Sequence, residues 1–146
     1  MARFIFLIAL VFFATSSFAQ IRDIPKEVMD NFETQYPTAE KAEFKDNLVN
    51  VQVSFMLDGE SMLATYSNKG IWKNTEKEWS YDKLSDDIKT GFEKSKYADW
   101  KVVETKIIYQ PGGTERYRIK AEKNDVNKRN LYFNKSGRLT DEDITL

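Results

Sequence analysis

The chain has 146 residues, of which 22 are basic and 23 acidic, and it contains neither histidine nor cysteine. The formal net charge of −1 argues against a nucleic-acid binder, which would carry a clear basic excess. Without histidine and cysteine, the chain cannot form a Ser-His-Asp or Cys-His catalytic centre, a histidine or cysteine zinc site, a haem attachment or a disulfide. We therefore expect a domain stabilised by packing alone, with no cofactor, no metal and no catalytic residue.

The first nineteen residues have the three regions of an export signal. Arg3 supplies a positive charge, residues 4–13 form an unbroken apolar run, and Ser17-Phe18-Ala19 ends in a small residue suited to signal peptidase. The apolar run is too short to span a bilayer, which needs about 20 residues. We predict a signal peptide over residues 1–19, cleavage after Ala19, and a periplasmic or secreted protein without a membrane span. An uncleaved membrane anchor is the alternative.

Two segments have the apolar spacing of short amphipathic helices. In the first, Val28, Phe32 and Tyr36 recur every four residues between Pro25 and Pro37, which suit the start and the stop of a helix. The second segment has the same spacing at Leu84, Ile88 and Phe92, which lie sixty positions after Ile24, Val28 and Phe32. The constant offset indicates an internal duplication.

The clearest strand signal is the alternation of apolar and polar residues over residues 49–57. It ends at Asp58-Gly59, a pair that supplies the positive φ angles of a tight hairpin turn. A hairpin closed at this turn pairs three sets of apolar residues: Val51 with Tyr66, Val53 with Ala64, and Phe55 with Met62. This hairpin therefore has one apolar face.

The remaining strands complete the predicted fold. Before and after the hairpin, strands are expected at residues 39–44 and 71–73, and residues 75–78 are expected to be a charged link. After the second helix, three strands are expected at residues 100–109, 114–123 and 129–134. We predict an α+β protein of two tandem repeats, each an N-terminal helix packed on a three- to four-stranded antiparallel meander.

The two repeats are assigned to residues 20–81 and 82–146 and form one compact unit. Each has about sixty residues, a size at which a lone hydrophobic core is marginal. We expect the two sheets to join edge to edge, because this would also remove exposed strand edges.

Several of these motifs resemble the PepSY-like proteins related to the β-lactamase-inhibitor fold. The resemblance covers residues 24–139 and rests on Phe32-x3-Tyr36-Pro37, the strand over residues 49–57, Asp58-Gly59, and Tyr66-x3-Gly70. In that family, exported bacterial proteins carry tandem helix-plus-meander repeats, and the best-known relatives bind protein partners on the sheet surface. The resemblance implies a non-enzymatic binding or inhibitory module.

The polar face of the predicted strands is the candidate interface. Arg116, Arg118 and Lys120 would project together near Tyr132 and form a basic surface for an acidic partner. An ordinary solvated sheet face is the alternative. In the first repeat, apolar side chains accompany polar ones and would form a small exposed patch. The candidate partner-binding residues are Gln52, Ser54, Met56, Leu63, Arg116, Arg118, Lys120 and Tyr132.

The sequence therefore predicts a non-enzymatic exported binding module, acting as an inhibitor or a sensor of another envelope protein. The densest acidic run, Asp141-Glu142-Asp143, lacks the spaced oxygen ligands of a calcium loop and is expected to be a solvated tail. The alternatives are a small-molecule binder or a carboxylate-based hydrolase with a cupped sheet, or a structural envelope protein.

Overall fold

The computed structural model describes residues 23–145, so the predicted signal peptide and its cleavage after Ala19 lie outside the described residues. The first helix, α1, spans Lys26–Gln35. It is followed by β1 (Glu40–Asp46), β2 (Asn50–Leu57), β3 (Glu60–Ser67) and β4 (Trp72–Glu78). The second helix, α2, spans Asp86–Glu93 and follows a 3-10 turn at Tyr81–Lys83. The remaining strands are β5 (Lys101–Gln110), β6 (Thr114–Asn124), β7 (Asn127–Phe133) and β8 (Leu139–Thr145).

All eight strands lie in one antiparallel sheet, in the same order as in the chain. The predicted hairpin is confirmed in its register. β2 and β3 meet at Asp58 and Gly59, which have φ angles of 51° and 81°, as a tight hairpin turn requires. The paired residues are those predicted: Val51 with Tyr66, Val53 with Ala64, and Phe55 with Met62.

The prediction of an α+β protein made of two tandem helix-plus-meander repeats is wrong. Within residues 23–145, the structure is a single eight-stranded sheet with two short helices, 53% strand and 20% helix. β4 and β5 pair directly over residues 75–78, which were predicted to be a charged link, so that Thr75 faces Tyr109 and Glu78 faces Lys106. This pairing uses backbone N–H and C=O groups that would otherwise form the exposed edges of two separate sheets.

Both helices pack on the same face of the sheet, and their predicted apolar positions are confirmed. Val28 and Phe32 of α1 are buried against side chains of β2 and β3. Ile88 and Phe92 of α2 are buried against side chains of β6 and β7. The spacing of four residues places each pair on one side of its helix. Burying side chains of this size stabilises the fold by about 1.5–3 kcal/mol each.

Each helix also approaches a turn of the sheet through backbone atoms. In α2, a Cβ atom added to Gly91 would lie only 1.9 Å from the carbonyl oxygen of Gly137, in the β7–β8 turn. A Cβ atom on Gly137 would lie 2.0 Å from the carbonyl oxygen of Asp87. Gly70, in the β3–β4 turn, approaches the backbone of Glu27 in α1 in the same way. These contacts explain why a glycine occupies the middle of α2.

We expect Gly91→Ala to lower the free energy of unfolding by about 1–3 kcal/mol, because the added methyl group would force the helix and the turn apart. In an exposed helix the same substitution would stabilise the fold by about 1 kcal/mol. Urea unfolding followed by circular dichroism measures the difference. The matched control is Thr90→Ala at the exposed neighbouring position, which should change stability by less than about 0.5 kcal/mol. A Gly91→Ala variant as stable as the wild type would contradict the close approach.

Two tyrosines on the helix side of the sheet, Tyr66 and Tyr117, respond to alkaline pH. Tyr66 is fully buried, and its hydroxyl donates a hydrogen bond to the side-chain oxygen of Gln35 at 2.9 Å. Burial raises the pKa of Tyr66 above its ordinary value of about 10. Burial, together with a hydrogen bond to Glu115, raises the pKa of Tyr117 to about 12. The folded protein therefore keeps these phenols protonated at pH values where the unfolded chain loses their protons.

The free energy of unfolding should fall as the pH rises above about 10, because the folded state then binds more protons than the unfolded state. The contribution of these tyrosines is complete below that pH and is lost progressively above it. Lysines also titrate in this range, so the decisive quantity is the difference in slope between variants. Urea unfolding between about pH 8 and 11 should give a shallower fall for Tyr66→Phe and Tyr117→Phe than for the wild type. Parallel slopes would contradict the assignment.

Candidate functional site

The face of the sheet opposite the two helices carries mostly polar side chains, and we call it the open face. On each strand its residues alternate with the core positions, as expected for a sheet with helices on one side. The eight predicted interface residues all lie on the open face, in two groups. Gln52, Ser54 and Met56 lie on β2, with Leu63 opposite Ser54 on β3. The second group lies on β6 and β7: Arg116, Arg118 and Lys120, with Tyr132 opposite Arg118.

The residues between these two groups were not among the predicted candidates. Glu76 and Glu78 belong to β4, and Glu104, Lys106 and Ile108 belong to β5. Residues 75–78 are polar on both faces, so no apolar–polar alternation identified the strand. One sequence signal could have identified this pairing. Glutamates on one strand interact favourably with lysines or arginines that lie directly opposite on the neighbouring strand.

Four of these side chains and Arg118 form an ion-paired group that we call the charge cluster: Glu76, Glu78, Glu104, Lys106 and Arg118. The Lys106 ammonium lies 3.0 Å from Glu78, 3.5 Å from Glu76 and 3.8 Å from Glu104. The Arg118 guanidinium donates to Glu104 at 2.7 Å and lies 3.5 Å from Glu76. Both cationic side chains are only 16% exposed. Three carboxylates thus surround two cations, so this part of the open face is not a simple basic surface.

The cations of the charge cluster keep their charge because the carboxylates outweigh the effect of burial. Burial by itself would lower the pKa of Lys106, but the hydrogen bond to Glu78 and the charges of Glu104 and Glu76 raise it. For Arg118, burial is likewise outweighed by Glu76 and Glu104, and the pKa rises. Ion pairs of this kind fix the positions of long side chains more than they add stability.

Outside the charge cluster, Arg116 and Tyr132 form a second polar group. The Arg116 guanidinium stacks over the Tyr132 ring, 4.6 Å from its centroid, and lies 3.6 Å from Asp141. The Tyr132 hydroxyl donates to Asp143 at 2.9 Å. Glu142 points to the opposite face, where it accepts a hydrogen bond from Lys96 at 3.0 Å. The acidic run expected to be a solvated tail is therefore part of β8, and its carboxylates alternate between the two faces.

Apolar side chains also lie on the open face. Met56 and Leu63 are half-buried on β2 and β3, next to the small polar side chains of Ser54 and Thr65. Ile108 is only 6% exposed, because it lies between the long side chains of Glu76 and Arg116 on the neighbouring strands. The open face thus has a neutral part on β2 and β3 and a charged part from β4 to β8.

Residues 23–145 contain no group of three or more aspartates and glutamates arranged to hold a metal ion. None of the helices they form is long and apolar enough to cross a membrane.

Solved structures share this fold of one antiparallel sheet with two helices on one face and an open opposite face. A BLIP-like protein from Bacteroides fragilis NCTC 9343 shares it, with a TM-score of 0.75 and 23% identity over 86% of this chain and 89% of that chain. A DUF2874 family protein from Bacteroides ovatus ATCC 8483 gives a TM-score of 0.74 and 22% identity over 84% and 89% of the two chains. A candidate periplasmic protein from Bacteroides eggerthii DSM 20697 gives a TM-score of 0.72 and 18% identity over 84% of this chain and 90% of that chain.

At these identities the similarity shows the fold alone. No protein-family model matches the chain, and no curated protein matches its sequence. The solved structures support the β-lactamase-inhibitor-like part of the resemblance seen in the sequence. They do not single out the PepSY-like proteins.

We expect Lys106→Met to destabilise the protein in a salt-dependent way. Without the ammonium, Glu76 and Glu104 retain Arg118 as a partner, whereas Glu78 loses the ion pair that it makes with Lys106. The three carboxylates then repel one another, and salt screens repulsion between partly exposed charges, so the variant's deficit in unfolding free energy should shrink as the salt concentration rises. Urea unfolding at about 0.05 M and about 0.5 M sodium chloride tests the expectation, with Lys94→Met, an exposed lysine of the helix side, as the control. A deficit independent of salt would contradict it.

Proposed function

We propose that this protein is a non-enzymatic, exported protein-binding module whose interface is the open face. The observation that carries the proposal is the asymmetry of the sheet. Both helices cover one face, whereas within residues 23–145 the other face has no helix packed on it and presents ordered side chains. The helix side already supplies the hydrophobic core, so the ordered side chains of the open face are not needed to form one.

The size of the open face suits a protein partner. Eight strands spaced about 4.8 Å apart span roughly 34 Å, and strands of about eight residues extend roughly 27 Å. The resulting area of about 900 Å² is close to the roughly 800 Å² that each partner buries in a standard protein–protein interface. A small molecule would cover only a fraction of this surface.

The chemistry of the open face also favours a protein partner. Met56 and Leu63 offer apolar contacts beside the charge cluster, and apolar contacts bordered by polar groups are typical of protein interfaces. The ion pairs of Lys106 and Arg118 hold their side chains in place before binding, which lowers the entropy lost on association. Oriented charges additionally select a partner with complementary charges.

The comparisons support this function at a coarse level. A structural neighbour is called BLIP-like and another a candidate periplasmic protein, which is consistent with an inhibitor or a sensor of another envelope protein. The export signal expected at residues 1–19 and the PepSY-like motifs agree with the same role. A carboxylate-based hydrolase is less well supported, because Glu76, Glu78 and Glu104 each have a cation within 4 Å.

Replacing the apolar side chains of the open face by carboxylates should abolish partner capture. We expect the double variant Met56→Asp, Leu63→Asp to recover its partner from an envelope extract at least about tenfold less well than the wild type, because central apolar contacts dominate binding energy. Affinity capture after chemical crosslinking, read by quantitative mass spectrometry, measures the recovery.

The matched control is Met29→Asp, which alters an exposed methionine on α1, away from the open face. This variant should capture the partner as the wild type does. Equal capture by the double variant and the wild type would remove the open face from the proposal. Loss of capture in Met29→Asp would move the interface to the helix side.

A further inference from the structure

Two neighbouring turns form an exposed aliphatic tip at one end of the sheet. Leu48 and Val49, between β1 and β2, are 74% and 79% exposed, and Ile71, between β3 and β4, is 56% exposed. The turns are connected, because the Asn68 side chain donates a hydrogen bond to the carbonyl oxygen of Leu48 at 2.7 Å. We call Leu48, Val49 and Ile71 the apolar apex.

The backbone of the apolar apex is held in an unfavourable conformation. Leu48 has a φ angle of 71°, in the left-handed region that residues with a Cβ atom avoid. Its N–H donates to the Asp46 carboxylate at 2.7 Å, and the Asn47 side chain donates to the side-chain oxygen of Gln52 at 3.0 Å. Polar side chains thus fix a loop that directs two aliphatic residues away from the core. A fold under selection for stability alone would place asparagine or glycine at position 48.

Exposed lysines flank the apolar apex. Residues 45–49 and 67–73, which form the two turns and their flanks, contain three lysines and one carboxylate, Asp46. Lys45, Lys69 and Lys73 are all exposed. The two segments therefore carry a net charge of +2 beside the exposed aliphatic side chains.

This composition fits a lipid surface better than a protein surface. Leucine and valine are under-represented among the residues that dominate protein interfaces, and lysine is depleted there. Aliphatic side chains flanked by lysines are characteristic of segments that lie on anionic membranes, where apolar groups enter the boundary of the acyl chains and lysines contact the headgroups. We propose that the apolar apex docks on an anionic phospholipid surface.

The proposed docking is compatible with binding at the open face. The apex lies at the ends of the strands, so docking there would point the strand axes toward the membrane. The open face would then stand away from the lipid and remain accessible. The proposal does not depend on the function of the open face.

Vesicle sedimentation tests the proposal on the exported protein, with the same N-terminus verified by mass spectrometry for every variant. The anionic vesicles contain equal parts of phosphatidylglycerol and phosphatidylethanolamine. The neutral vesicles contain phosphatidylcholine. We expect binding to the anionic vesicles that weakens with salt. The triple variant Leu48→Asn, Val49→Ser, Ile71→Ser should bind them at least about tenfold less tightly, because binding scales with the buried apolar area.

Asparagine at position 48 makes the test independent of folding. It tolerates the positive φ angle, so Leu48→Asn alone should be at least as stable as the wild type in urea while binding vesicles less tightly. Lys69→Glu with Lys73→Glu should weaken anionic-vesicle binding by about tenfold or more. The matched controls are Val126→Ser, an 83% exposed aliphatic residue at the opposite end of the sheet, and Lys94→Glu on the helix side. Both controls should bind as the wild type does.

Three results would overturn the proposal: no binding of the wild type to anionic vesicles, unchanged binding of the triple variant, or an equal loss in Val126→Ser. Equal binding to anionic and neutral vesicles would also overturn it, because the proposed surface is anionic. Partner capture by the triple variant should remain at the wild-type level, which separates this proposal from the one for the open face.

Discussion

The pairing of β4 with β5 is the interaction on which the rest of the structure depends. It continues the hydrogen-bond ladder through the middle of the chain, so that eight strands form one sheet. It also brings Leu63, Glu76 and Ile108 onto adjacent strands, which places the neutral part of the open face directly beside the charged part. Without this ladder the charge cluster could not form, because Glu76 and Glu78 lie on β4 and their cations lie on β5 and β6.

The strands inside the sheet differ from its two edge strands in how their backbone groups are paired. The edges of β4 and β5 pair with each other, whereas β1 and β8 have only one neighbour each. β1 has an irregularity in its register between Glu40 and Glu43, and β8 contains three consecutive acidic residues. Bulges and charges are the means by which edge strands avoid pairing with other chains. The sheet is therefore continuous from β1 to β8, and its two edge strands are protected from pairing with other chains.

The three surfaces of the molecule have different physical characters. The helix side is closed by two helices whose backbones touch turns at Gly70 and Gly137, contacts that a larger residue would prevent. The open face keeps charged side chains ordered by pairing them with one another. The apolar apex carries exposed aliphatic residues on a loop fixed by hydrogen bonds. Binding a protein at the open face and a lipid surface at the apex would use separate parts of one sheet.

The sequence by itself determined the local structure: the two helices, the β2–β3 hairpin and its register, and the residues that alternate onto the open face. These features follow from short-range periodicity and from the positive φ angles that Asp58-Gly59 adopts. Only the tertiary structure decided that β4 and β5 join the strands into one sheet and that Arg116 and Arg118 of β6 pair with carboxylates. The β4–β5 contact joins residues about thirty positions apart through backbone groups, which carry no side-chain pattern, and β4 is polar on both faces. The ion pairs of Lys106 and Arg118 follow from that register, which the sequence could not supply.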